Sequence, residues 1–383
     1  MNHPSIANDE LALFRDAANA FLKKEVIPYY ESWEREGGMP RDLWNTMGEG
    51  GLLCPDMPEE YGAAGASFVV PQIIQEEMWR LGLASIGTGY NIQSNIVCAY
   101  INNIGTPEQK KEWLPRMITG EVVTALAMTE PGAGSDVARL ATTAVKRGDD
   151  YVINGSKTFI TNGHHADMVV VCAKTDPQKG AKGISLFLVD SSLPGFTKGQ
   201  KIEKIGQHSS DTTELFFKDV VVPKSALLGE EHRGFVHLMQ ELPRERIGVA
   251  ASAIGAAQGA LEQAVDYVQT REVFGQPLSN MQNTRFKLAK VKSDIESSRA
   301  LYEKHLALFQ EGSLSVEDAA LLKYATTEMQ LRAVSECLQL FGGYGYTKEY
   351  PISRFYTDAR IQTIYAGTSE IMLEVIARGL VGR

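Results

Sequence analysis

With 383 residues, 44% of them hydrophobic and 22% charged, the chain can form two or three domains or subdomains with ample core, in the composition of an ordinary soluble protein. The net charge of -9 and the lack of a basic tract argue against general nucleic-acid binding, and no apolar run approaches the roughly 18 to 20 residues that span a bilayer. The stretch MNHPSIANDELALF has neither region of a secretory leader, and Cys54, Cys98, Cys172 and Cys337 form no CxxC pair, so inert buried thiols in a reducing compartment are expected.

From Asp9 to Val26, Leu11, Phe14, Ala18, Phe21, Leu22 and Val26 follow helical spacing, which predicts a helix closed by Pro28. PRDLWNTMGEGG and PQIIQEEMWRLG carry proline near the start and glycine at the end, the frame of short helices. In TPEQKKEWLPRM, Thr106 reads as an N-cap, Pro107 takes the first helical position and Gln109 completes a capping box.

Past about Glu121 the texture changes to β-branched and aromatic runs: EVVTALAMTE, YVINGSKTFITNG, ADMVVVCAK, GISLFLVD and ELFFKDVVV. Asn154-Gly155 is a hairpin signal, and the block ending near Pro223 predicts a β-sandwich or barrel. His164 and His165 would point to opposite faces of a strand and are not ligand-spaced, so no metal site is expected. From about Gly234 the helical period returns. RERIGVAASAIGAAQGALEQAVDYVQTRE is rich in alanine and glycine, which permits close helix–helix approach. Two long helices follow, roughly Asn280 to Phe309 and Val316 to Leu340. The expected class is α+β: an N-terminal helical domain over 1–120, a middle β domain over 121–228, and a C-terminal four-helix-type bundle over 229–383.

Five stretches are candidates for chemistry: AMTEPGAGSD (Ala127 to Asp136), FITNG (Phe159 to Gly163), REVFGQPLSNMQ, QLFGGYGY (Gln339 to Tyr346) and YAGTSE. Alone, each has a plain reading as a tight turn, a strand end, a helix C-terminus or a glycine C-cap. No GxGxxG follows a strand, so a Rossmann reading fails. Together, in this order along the whole chain, they resemble the acyl-CoA dehydrogenase family. The resemblance implies FAD as cofactor. Met128 and Thr129 would line the flavin, Phe159 would cover the ring, and Ile160 and Thr161 would sit at its edge. Phe159 departs mildly from the tryptophan common there. Arg271 would pair with pyrophosphate, Phe274 would pack on adenine, and Gln282 would bond nearby. Gln339, Gly342 and Gly343, with Gly345, would leave room for a phosphate. Thr368 and Glu370 would be further flavin contacts, and Ser135 would face the coenzyme A portion.

One departure matters more. Many members hold a catalytic glutamate where this chain has Ala366, and a methyl group takes no proton. In the long-chain and isovaleryl-CoA branch the loop residue is small, and the base lies in a Glu-Arg pair on the helix opening the C-terminal domain. Glu245-Arg246 matches that pair. The resemblance therefore implies Glu245 as the base, with Arg246, Ala366 and Gly367 at the substrate and the Ala366 N–H on the thioester carbonyl. Against this stands the plain reading of Glu245 as an acid near a helix start, paired with an arginine. The implied reaction takes an acyl-CoA, of medium or long chain, to the trans-2-enoyl-CoA. The α-proton goes to Glu245, the β-hydride to flavin N5, and the electrons to an electron-transfer flavoprotein. The segment TGYNIQSNIV, near the acyl pocket by the resemblance, holds Ile92 and no acid, which permits an apolar tail. A homotetramer is implied, located in the cytoplasm, or in the mitochondrial matrix if a transit peptide has been removed. The alternatives are an isovaleryl-type enzyme and a non-catalytic flavin-binding protein.

Overall fold

The computed structural model describes residues 8–382. Helices α1 (Asn8–Glu25) and α2 (Ile27–Glu36) open the chain. Pro28, expected to close the first helix, lies in the first turn of the second, where a missing N–H leaves no bond unmade. Helices α3 (Leu43–Glu49) and α4 (Val69–Arg80) follow. Helix α5 (Ala84–Tyr90) continues through a π-turn (Asn91–Val97) into α6 (Cys98–Ile104). Sequence periodicity does not announce this rod, because its residues are buried almost all round and no polar face marks the period. Helix α7 (Pro107–Ile118) starts at the capping box of Thr106 and Gln109, as the sequence predicts.

The strands are β1 (Thr124–Ala127), β2 (Thr143–Arg147), β3 (Asp150–Ile160), β4 (Met168–Lys174), β5 (Ile184–Asp190), β6 (Phe196–Lys201), β7 (Thr213–Pro223) and β8 (Leu227–Leu228). They pair in the order β6-β7-β3-β2-β4-β5-β8, with β1 parallel beside β4. Only Thr143 and Lys174 pair β2 with β4. The two halves of the sheet share one core of Tyr151, Val169, Phe187 and Leu215, where the Tyr151 and Phe187 rings meet edge-on at 5.0 Å. The hairpin expected at Asn154-Gly155 is not formed. Strand β3 runs through it, with Gly155 (φ 151°) marking a register shift against β7. Asn154 spans to β7, its side-chain oxygen accepting from the Asp219 amide at 2.8 Å. An eleven-residue strand, paired with β7 along its length and with β2 through Asn154, outweighs a dipeptide preference. His164 and His165 lie in the turn after β3, not in a strand.

Helix α8 (Gly234–Thr270) leads to a short hairpin of β9 (Glu272–Val273) and β10 (Gln276–Pro277). Helices α9 (Gln282–Gln310), α10 (Val316–Leu340), α11 (Ile352–Ala359) and α12 (Ser369–Val381) complete the described chain. The small residues of α8 have a physical use. A Cβ at Gly255 would stand 2.3 Å from the Glu76 carbonyl oxygen, and one at Gly259 2.0 Å from that of Arg80. Helix α4 thus rests on α8 backbone to backbone, while α9 and α10 pack around it. All four cysteines are free and buried. No helix among the described residues is long and apolar enough to cross a membrane.

Candidate active site

Three groups of candidate residues take shape, and the first is the loop after β1. Buried Glu130 accepts from the amides of Ala141 (2.6 Å) and Thr142 (3.0 Å) and from Lys157 Nζ (2.8 Å). Lys157 also donates to the Met128 carbonyl at 3.1 Å, and the Thr158 amide donates to the Thr129 carbonyl at 3.0 Å. The loop is thereby pinned to β3. Burial lowers the Lys157 ammonium from its ordinary value. On Glu130, burial is outweighed by Lys157 and the hydrogen bonds, which hold the carboxyl low. Met128, Thr129 and Thr161 are half-buried. Phe159 turns to φ 58° and leaves 64% of its surface exposed. Ile160 belongs to the β core, so its side chain is taken up by packing, and its carbonyl accepts from the Gly163 amide at 3.2 Å. Ser135 is exposed further along the loop.

The second group centres on Glu245. It stands about three turns inside α8, beyond the reach of a macrodipole that fades within the first turn. The reading of an acid at a helix start is therefore corrected. Burial pushes the Glu245 carboxyl up to about 7; the Tyr100 hydrogen bond and the Arg246 charge oppose the rise, and Glu241 adds to it. Tyr100 Oη donates to Glu245 Oε1 at 3.0 Å, and Asn103 Nδ2 donates to Glu241 Oε1 at 2.9 Å. Arg246 is buried, with its Nε unpartnered among the described residues and its Nη1 donating to the Val316 carbonyl at 3.4 Å.

Arg246 also meets the turn of Ala366 (φ 53°) and Gly367 (φ 92°), its Nη2 lying 3.9 Å from where a Gly367 Cβ would stand. The φ of 92° at Gly367 is what favours glycine there, since the nearest atom to an added Cβ, Met372 Cε at 2.5 Å, ends a flexible side chain. Fully buried Lys323 of α10 donates to the Gly367 carbonyl at 2.7 Å, and burial together with Arg246 brings its ammonium down to about 8. The Ala366 amide makes no hydrogen bond among the described residues. Thr368 caps α12 by accepting from the Ile371 amide at 3.3 Å, and Glu370 is exposed in the first turn of that helix.

The third group is the β9–β10 hairpin. Its two turn residues, Phe274 (φ 51°) and Gly275 (φ 77°), are both left-handed, the signature of a tight I′ turn, and Phe274 is 96% exposed. Arg271 lies over the Tyr344 ring at 5.7 Å, which brings this hairpin to the glycine segment after α10. A Cβ at Gly342 or Gly343 would meet nothing within 4 Å, whereas one at Gly345 would meet the Leu338 carbonyl oxygen at 2.6 Å. Gly345 is thus a packing glycine and the other two face open space. Gln282 begins α9 and Gln339 lies near the end of α10, both exposed. No hydrogen bond or ion pair among the described residues links this group to the loop after β1.

Comparison with known proteins bears on all three groups. The family models described as acyl-CoA dehydrogenase N-terminal, middle and C-terminal domains match residues 8–121, 125–220 and 232–381. The chain belongs to the acyl-CoA dehydrogenase family. It is 44% identical to the mitochondrial long-chain specific acyl-CoA dehydrogenase of Rattus norvegicus, over 98% of this chain and 87% of the relative. The short-chain specific enzyme of that organism is 39% identical over 95% and 88%. Among solved structures, an acyl-CoA dehydrogenase from Geobacillus kaustophilus has a TM-score of 0.95 at 46% identity, covering 98% of this chain and 99% of that one. A glutaryl-CoA dehydrogenase from Mycobacterium smegmatis, solved in complex with FADH2, has a TM-score of 0.92 at 31% identity, covering 99% and 96%.

This acyl-CoA dehydrogenase is an FAD-dependent oxidoreductase, and its residues fit that cofactor. Phe159 and Phe274 present large aromatic surfaces, Gly342 and Gly343 obstruct nothing, and the Arg271 guanidinium is exposed. Sequence reasoning missed Tyr100, Lys157 with Glu130, and Lys323. Lys323 carries a signal in retrospect, a lone charge in the otherwise uncharged helical run AALLKYATT. Tyr100 carries none, because its partner lies 145 residues away.

Proposed function

We propose that the protein dehydrogenates medium- or long-chain acyl-CoA to the trans-2-enoyl-CoA, with Glu245 as the base that takes the α-proton. The observation that carries this reading is the meeting of α8 with the 366–367 turn. Arg246, the residue following Glu245, reaches Gly367, so the helix that carries the carboxylate meets the turn whose own candidate position is a methyl group. Burial supports the role, since a carboxyl raised to about 7 is matched to a general base at neutral pH. The Ala366 amide and the buried, under-bonded Arg246 are suited to hold the thioester end, because fixed donors in a dry site favour a developing enolate oxygen.

Bound FAD supplies the two-electron acceptor for the β-hydride. Met128, Thr129, Phe159, Thr161 and the Ile160 main chain would hold its ring system, with Thr368 and Glu370 beside them. Arg271, Phe274, Gln282, Gln339, Gly342 and Gly343 would hold its dinucleotide end, completed by a second subunit of a homotetramer. Electrons would leave to an electron-transfer flavoprotein. The test is anaerobic mixing of the yellow protein with a series of acyl-CoAs that includes isovaleryl-CoA. Straight chains should bleach the flavin fastest, and Glu245→Gln should slow bleaching by about 10² to 10⁴-fold while acyl-CoA still binds. Fastest bleaching by isovaleryl-CoA would overturn the chain assignment alone, and undiminished bleaching in Glu245→Gln would overturn the base.

A further inference from the structure

Glu245 has no ion-pair partner among the described residues, and its one direct hydrogen bond there comes from Tyr100. We infer that Tyr100 is the positioning residue of the base: by donating to Oε1 it fixes the rotation of the Glu245 carboxylate and leaves Oε2 as the oxygen that takes the substrate proton. This rests on Glu245 being the base.

The geometry has the form of a two-point clamp. Tyr100 and Asn103 stand three residues apart on α6 and serve Glu245 and Glu241, four apart on α8. Both spacings bring side chains to one face of a helix. Holding Glu241 by its own amide donor keeps the two like-charged groups apart, so the Tyr100 hydroxyl is not shared between them.

The other titratable and charged groups facing Glu245 do not substitute for this contact. Arg246 directs its Nη1 to the Val316 carbonyl, Glu241 repels, and the fully buried Cys172 of β4 is a thiol pushed up to about 12. Tyr100 is itself fully buried, its phenol held well above its ordinary range by that burial and by Glu245, so it acts as a neutral donor throughout the working range. A neutral donor suits a base. It stabilises the carboxylate enough to keep some of it ionised in a dry site, without the strong suppression of basicity that a direct arginine pair would impose.

The test uses the FAD-loaded enzyme and Tyr100→Phe, which keeps the ring and removes only the hydroxyl. Without substrate, the infrared carboxylic C=O band that disappears in Glu245→Gln is titrated. Its midpoint should move to higher pH by about one unit or more when a bond to the charged form is lost. The acid limb of flavin reduction should move with it, so that on that limb the rate falls about tenfold while acyl-CoA affinity stays within about twofold. Replacing Tyr100 by 3-fluorotyrosine makes the phenol a stronger donor and should move both readouts the other way, which decides the matter if the phenylalanine variant does not fold. An unmoved infrared midpoint or an unmoved acid limb overturns the inference and leaves Tyr100 a packing residue. Flavin reduction as fast in Glu245→Gln as in the parent overturns the underlying base assignment and this inference with it, and is distinguishable because it needs no change at Tyr100.

Discussion

At the scale of single residues, the proposed function makes Ala366 and Glu245 a compensating pair, and the turn geometry gives that proposal a test. Ala366 already sits at φ 53°, and Gly367 beyond it absorbs the more extreme φ of 92°. A glutamate at 366 would therefore meet the same backbone condition that alanine meets now. In a Glu245→Gln background, Ala366→Glu should recover part of the lost flavin reduction, measured under anaerobic stopped flow. Recovery should be incomplete, since roughly 1 Å of misplacement costs about 10² in rate; no recovery at all would mean that the turn does not face the α-carbon. The proposed pair could be drawn from the sequence because both departures fall inside recognisable stretches. The supports of the site could not. Lys157 reaches Glu130 across 27 residues and Lys323 reaches Gly367 across 44, separations at which local spacing carries no information.

At the scale of elements, the long helices and the capping box follow from the sequence because each is specified by its own residues. The wealth of small residues in α8 is likewise readable as close packing, but not which helix it receives. Gly259 answers that, standing against the Arg80 carbonyl at the end of α4. Gly259→Ala should therefore destabilise the fold by about 1 to 3 kcal/mol through overpacking, although alanine is the better helix former by about 1 kcal/mol. A lowered midpoint in urea at unchanged slope would show it, whereas a raised midpoint would mean that α4 yields. The failed hairpin at Asn154-Gly155 teaches the opposite lesson, since a local turn preference is small beside the pairing of β3 with both β2 and β7.

At the scale of the whole molecule, the order of helices, strands and helices is legible, while the joints between them are not. Glu34 of α2 accepts from Ser85 of α5 and from the backbone of His208 and Ser209 in the loop between β6 and β7. Gln207 of that loop donates its amide to Asp358 of α11 at 2.6 Å. Three regions of the chain thus meet at one buried polar junction that no motif marks. The outermost features concern assembly. Phe274 is almost wholly exposed at the tip of a tight turn beside Arg271, as suits residues that complete a neighbour's cofactor site. Arg271→Ala and Phe274→Ala should each reduce the FAD retained on gel filtration, and the parent should elute as a homo-oligomer. A monomer that keeps full FAD would contradict this assignment.

The π-turn between α5 and α6 acts as a phase setter. A wide turn takes up one residue more than an α-helical turn, and each residue rotates an α-helix by about 100°. The turn is keyed to α8 at two places: Arg244 Nε donates to the Asn95 carbonyl at 2.7 Å, and Asn91 lies where a Cβ on Gly248 would come within 2.5 Å of its Oδ1. Everything downstream inherits that angle. Deleting one residue from Asn91–Val97 would restore an ordinary helix and keep its composition almost intact. It would also swing Tyr100 a quarter turn or more away from Glu245, so the hydrogen bonding of a carboxylate in the C-terminal bundle is indexed by the winding of a helix in the first domain.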